Sequence, residues 1–197
     1  MSAQQLLLAT RNAHKTEEIR AKLGEGFAVV DLLSRTSWPE IAETADTFLG
    51  NATLKAVGIS RLTNGLVLSD DSGLEVDALE GAPGVWSARF AGEKASDADN
   101  RALLLERLKG VRGKARSGRF RCVMVLAREG EILGSFSGAV EGIIVNAERG
   151  EGGFGYDSLF VPEGFCETFA QLSREIKNQL SHRARALDAV LDFLINR

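Results

Sequence analysis

At 197 residues the chain is long enough for one substantial core, built as a single domain or as two closely packed lobes. Its 24 Lys and Arg against 27 Asp and Glu leave a net charge of −3, which argues against a dedicated binder of long nucleic acid. No apolar run approaches the roughly 18 residues of a membrane span, the first residues lack a signal-peptide pattern, and Cys122 and Cys166 make no disulfide framework, so a cytoplasmic protein is expected. Gln5 to Thr10 reads as a first strand and Ala13 to Leu23 as the helix after it, with Arg20 and Lys22 in its last turn and Gly24 placed to end it. A second helix is expected from about Thr47 to Leu62, broken by Asn64-Gly65. Leu66 to Leu68 makes a short buried strand, and Ser69 to Asp77 a loop rich in carboxylates. After the turn Gly81-Ala82-Pro83-Gly84, Asp97 is placed to cap a helix over Ala98 to Leu108. Phe120 to Ala127 and Ile132 to Phe136 form a hairpin about Glu129-Gly130, and Ala139 to Val145 a further strand. The glycine-rich loop Gly150 to Gly155 precedes a short strand, Leu159 to Val161. Ser181 is placed to cap a final helix with an apolar face of Ala184, Leu187, Leu191 and Leu194. Helices alternating with strands around a hairpin predict an α/β fold on a mixed sheet.

Chemistry concentrates at five places. Asp70 and Asp71 stand at the mouth of a buried strand, where ionised carboxylates are costly unless a cation meets them. A hard divalent cation such as Mg²⁺ would serve, and so would a simple polar turn with a helix cap. Thr10-Arg11-Asn12-Ala13-His14-Lys15 brings basic residues to a helix N-terminus, either as an anion site or as a solvated first turn. His182 and Arg183 repeat that placement after Ser181, and two histidines with no further nitrogen or thiolate ligand do not make a zinc site. Lys55 falls on the inward stripe Phe48, Ala52, Ala56, Ile59, Leu62, with Asn51 on its flank, and must either snorkel outward or meet a buried anion. Gly152 to Asp157 offers close backbone approach, aromatic faces and a carboxylate for a ring N–H, or else is a strand-connecting turn. Glu43 is a candidate second metal ligand that nothing local separates from Glu40 or Asp46.

The blocks LLLATRNAHKTEEI, ETADTFLGNATLKA, LSDDSGLEVDALEGAPGVWSARFAG, GGFGYDSLF and KNQLSHRARAL, in this order, resemble the inosine/xanthosine triphosphate pyrophosphatases, the Ham1 family of house-cleaning nucleotidases. The resemblance runs from Leu6 to Leu187 and implies one pyrophosphatase domain over residues 1–197. It implies a homodimer of two-lobed α/β subunits, each on a long mixed sheet flanked by helices, with the active-site cleft between the lobes. It also implies Mg²⁺-dependent hydrolysis of ITP, dITP and XTP to the monophosphate and pyrophosphate, with no nucleic-acid polymer or membrane as partner. Carried over, Thr10, Arg11, Asn12, Ala13, His14 and Lys15 match the phosphate-binding loop, and Lys55 the lysine that reaches the triphosphate. Asp71 matches the catalytic, metal-binding proton acceptor, Ser72 a substrate contact, and Glu43 the second metal ligand. Phe154, Gly155, Tyr156, Asp157, Lys177, His182 and Arg183 match nucleoside-binding positions. The chain departs from the family at Gly50, where Glu is usual, at Arg11 for glycine, and at Ser158 for proline.

From these matches, donors on His182 and Arg183 would select a purine 6-keto oxygen over the amino group of adenine. The alternatives are a nucleotidase of different base preference and a nucleotide-sensing protein without turnover.

Overall fold

The structure is a computed structural model and describes residues 4–196. Six strands form one mixed sheet in the order β2-β1-β3-β4-β5-β6. They are β1 (Gln4–Leu8), β2 (Phe27–Val30), β3 (Leu66–Val76), β4 (Ser117–Arg128), β5 (Glu131–Ile144) and β6 (Phe160–Pro162). β1 pairs parallel with β2 and β3, and β5 pairs antiparallel with β6. The helices are α1 (Ala13–Leu23), α2 (Phe48–Ser60), α3 (Asp97–Arg107), α4 (Arg174–Leu180) and α5 (His182–Ile195). Among the described residues no helix is long and apolar enough to cross a membrane.

Contacts divide the chain into two compact units, the first comprising the residues up to Asp71 with Cys122–Gly138 and those from Arg183 on, the second Ser72–Arg121 and Ala139–His182. In the first unit, strand alternation sorts the core onto two faces. Leu6 and Leu8, Leu66 and Leu68, and Cys122, Met124 and Leu126 pack against Ile19 and Leu23 of α1 and Ala186, Leu187 and Val190 of α5. On the other face Leu7 and Val67 meet Ile59 of α2, and Val125 and Ala127 meet Ala52 and Ala56. Strands covered on both faces read as continuous apolar runs, which is why β1 was legible. The second unit has its own core, where Phe120 meets Phe160 edge-on at 4.8 Å and Phe160 stacks on Phe169 at 5.3 Å.

Several expectations need correction. The carboxylate segment from Ser69 is not a loop; β3 runs through it to Val76. The strands expected at Ile132 to Phe136 and Ala139 to Val145 are one strand, β5. The hairpin turn is at Glu129-Gly130, both with positive φ, the signature of a type I′ turn. α3 is capped by Ser96, in a capping box with Asp99, and Asp97 is its first residue. α2 ends at Ser60, so Leu62 leaves the inward stripe and is exposed. α4 was not anticipated.

Candidate active site

Strand parity sends adjacent Asp70 and Asp71 to opposite faces of the sheet, and so to different partners. Asp70 shares the face of Leu66 and Leu68, where it meets Lys15 of α1 at 3.1 Å and the Arg183 guanidinium of α5 at 3.2 Å. Arg183 is only 2% exposed and also pairs with Glu18, so its charge is answered by carboxylates on two sides. Burial by itself would raise the Asp70 pKa. The charges of Lys15, Arg183 and Lys55 outweigh it and hold the carboxyl well below the usual carboxylate range.

Asp71 faces α2. Its Oδ2 accepts from Asn51 Nδ2 at 3.2 Å, and its Oδ1 lies 3.6 Å from Lys55 Nζ. The same ammonium donates to Glu43 and, at 2.7 Å, to the Asp70 carbonyl. Lys55 therefore meets the buried Asp71 and the half-buried Glu43 rather than snorkelling to water. Burial pushes the Asp71 carboxyl up, reinforced by Glu43 and Asp70 and opposed by Lys55 and Lys15. Burial alone would lower Lys55, but Asp70, Asp71 and Glu43 raise it, so its ammonium stays charged.

Glu43 and Asp71 thus converge on one cationic nitrogen, with only oxygen donors offered. Among the described residues there is no group of three or more His, Cys, Asp or Glu suited to hold a metal. The all-oxygen pair of Glu43 and Asp71 fits a hard cation of the Mg²⁺ type, which commonly takes one or two carboxylates and completes its shell with water and substrate phosphate.

In the Thr10 to Lys15 segment, Asn12 caps α1 by accepting from the Lys15 N–H at 3.2 Å, and Thr10 Oγ1 accepts from the Asn12 N–H at 3.1 Å. Ala13 opens the helix and His14 is exposed. Arg11 is turned away to the carbonyls of Leu32, at 2.9 Å, and Trp38, at 2.8 Å.

The second unit holds the remaining candidates. Asp157 Oδ2 accepts from the Phe154 N–H at 2.9 Å and from Lys177 Nζ at 2.6 Å, while that ammonium lies 4.8 Å over the Phe154 ring. Tyr156 donates to the Ser87 carbonyl at 2.9 Å, and burial pushes its phenol up, so it stays neutral. His182 stacks on Phe120 at 4.9 Å. Ser72 follows Asp71 on β3. The structure thus gathers Lys15, Glu43, Lys55, Asp71 and Arg183 in one unit and Phe154 to Asp157 with Lys177 in the other. Sequence reasoning missed Asp70 as the anion joining Lys15 to Arg183; the signal for it was the period of two continuing past Leu68.

Gly50 has a local reason. It lies in the first turn of α2, where an added Cβ would stand 2.5 Å from Ala45 Cβ and 3.0 Å from Thr47 Oγ1. Ala45 in turn donates its N–H to Asn51 Oδ1 at 2.9 Å, the same Asn51 that donates to Asp71. Gly50→Glu would gain helix propensity and charge at a helix start, each below about 1 kcal/mol. Overpacking against Ala45 opposes this with about 1–3 kcal/mol. A net loss of about 1 kcal/mol is expected in urea unfolding, and an unchanged midpoint would mean that the Ala45 segment yields freely.

Comparison with known proteins agrees along nearly the whole chain. Residues 6–193 match the Ham1 family model. A dITP/XTP pyrophosphatase of Desulforamulus reducens is 45% identical over 190 residues, 96% of this chain and 94% of that protein. One of Exiguobacterium sibiricum is 48% identical over 184 residues, 92% of each. The solved structure of a HAM1 protein from Coxiella burnetii aligns with a TM-score of 0.88 at 35% identity, over 98% of this chain and 100% of that one. Matched in sequence and in fold over nearly its full length, the chain belongs to the Ham1 family.

Proposed function

We propose that the protein is a dITP/XTP pyrophosphatase that hydrolyses ITP, dITP and XTP to the monophosphate and pyrophosphate and so cleanses the nucleotide pool. The observation that carries this reading is the Lys55 ammonium held by Glu43 beside Asp71, in a chain closely similar to proteins named dITP/XTP pyrophosphatases. Glu43 and Asp71 would hold Mg²⁺, which when bound neutralises phosphate charge and polarises the phosphoryl oxygens. Asp71 takes a proton from the water that attacks the α-phosphorus. As the new phosphorus–oxygen bond forms, the bond to the bridging oxygen breaks and pyrophosphate leaves with the electron pair. Lys15, Lys55 and the N–H groups at the start of α1 meet its charge. Phe154 to Asp157, Lys177, His182 and Arg183 serve the nucleoside, with Ser72 a contact beside Asp71. A cytoplasmic homodimer completes the proposal, and sedimentation tests its assembly.

With Mg²⁺ and, separately, ITP, dITP, XTP, GTP and ATP, the first three alone should yield monophosphate and pyrophosphate. Orthophosphate release, or binding without turnover, would overturn the reaction. Preference for another base would overturn the substrate assignment alone.

A further inference from the structure

Both backbone polar groups of Gly155 are held from a single helix. Its N–H donates to Asp97 Oδ2 at 2.8 Å, and its carbonyl accepts from Arg101 Nη1 at 3.0 Å. Asp97 and Arg101 are four residues apart in α3, hence one turn apart on the same face. Arg101 Nε also donates to Glu148 Oε2 at 2.8 Å, and that oxygen accepts from the Ser158 hydroxyl at 2.9 Å. The loop carrying Phe154, Tyr156 and Asp157 is thus tied to α3 directly at Gly155 and through Glu148 at Ser158. Gly155 itself sits at a φ of 59°, a left-handed conformation in which glycine has no intrinsic preference to stay. What fixes it there is the clamp.

We propose that Asp97 and Arg101 are positioning residues for nucleoside recognition, holding the Gly155 peptide, and through it Phe154 and Asp157, in the conformation that receives the base. The inference rests on the nucleotide reading above and extends it to residues that never touch the substrate. A loop already ordered before binding spares the ligand the entropy of ordering it. Without the clamp the loop can still adopt the same shape, but the substrate must impose it, and that cost falls on ground-state binding. None of the clamp's hydrogen bonds involves Asp71 or Lys55, so the chemical step is left alone. Inorganic tripolyphosphate has no base and makes no use of the loop.

The test is a comparison of Asp97→Ala and Arg101→Ala with Asp97→Asn, whose amide oxygen can still accept from the Gly155 N–H. For ITP with Mg²⁺, KM should rise about tenfold in both alanine variants and kcat should stay within about twofold, with most of the KM recovered in Asp97→Asn. The inhibition constant of tripolyphosphate should not move. Thermal unfolding monitors the fold, and Asp97→Ala, an exposed truncation, carries the test if Arg101→Ala does not fold. Wild-type turnover with unchanged KM in folded alanine variants overturns this inference alone. So does a tripolyphosphate constant that rises in step with KM, since α3 would then merely support the fold. Wild-type protein that neither binds nor hydrolyses ITP overturns the nucleotide reading, and this inference with it.

Discussion

Asp71→Asn is expected to lower turnover of ITP at least about 100-fold while leaving the chain folded. Asparagine keeps the size of the side chain and an oxygen for Asn51 Nδ2, but it cannot take a proton or offer a charged oxygen to a cation. Lys55 keeps Glu43 and the Asp70 carbonyl, so no buried ammonium is stranded and the loss falls on kcat rather than on stability. The wild-type pH profile should carry the same signature. Burial raises the Asp71 pKa in the metal-free protein, and Mg²⁺ on the same carboxylate would lower it, so activity should fail on the acid side with a limb that moves to lower pH as Mg²⁺ is raised. The residual activity of Asp71→Asn should lack this limb. Steady-state pyrophosphate release across pH measures both, and a variant with near-full turnover would remove Asp71 from the mechanism.

The largest loss of stability is expected at the other carboxylate. Asp70→Ala would leave a half-buried Lys15 and a buried Arg183 without the anion they share, although Glu18 would still face the arginine. Removing one partner of a buried ion pair typically costs about 3–5 kcal/mol, a large part of a domain's total stability. Urea unfolding should register that loss, with Asp70→Asn less affected because its amide can still hydrogen-bond. The acid dependence follows from the direction of the shift. The folded pKa of Asp70 lies below the unfolded value of about 3.9, so its contribution is fully present above that value and is lost as the pH falls through the folded pKa. Asp71 has the opposite sign, since its raised pKa favours the folded state on protonation, an effect lost as the pH rises through that pKa. Asp70→Ala should therefore flatten the steep acid limb. A variant that unfolds at the wild-type urea midpoint would mean that water already solvates these charges.

What the sequence made legible was local. α1, Ala13–Leu23, was readable because Arg20 and Lys22 in its last turn and Gly24 after it lie within one short stretch. The hairpin turn was readable for the same reason, since Glu129-Gly130 carries its conformation in itself. β3 was misread because Ser69, Asp70 and Asp71 have the composition of a turn. They stay extended because each carboxylate finds its cation on its own face, and those cations come from α1, α2 and α5. No local pattern records such pairings. β5 was split for a similar reason, since Ser137 and Gly138 interrupt its apolar pattern while the sheet continues through them. Arg183 was matched to a nucleoside-binding position by the family resemblance alone, and no local pattern announced that its guanidinium also binds Asp70 and Glu18. The Gly155 clamp lay beyond sequence reading altogether, because Asp97 and Gly155 are 58 residues apart.

The three-part make-up of the first unit bears on how the chain can fold as it is synthesised. Asp70 emerges early, and Lys15 precedes it, but the arginine that completes its neutralisation follows 113 residues later. Until α5 leaves the ribosome, that face of the nascent sheet carries a partly answered charge and lacks the apolar cover of Ala186, Leu187 and Val190. The unit of Ser72–Arg121 and Ala139–His182 is complete as soon as His182 has been made. Domains generally fold as units during synthesis, in order of completion. Here that order inverts the order of the sequence: the inserted half can close first, and the half that opens the chain must wait for its last helix.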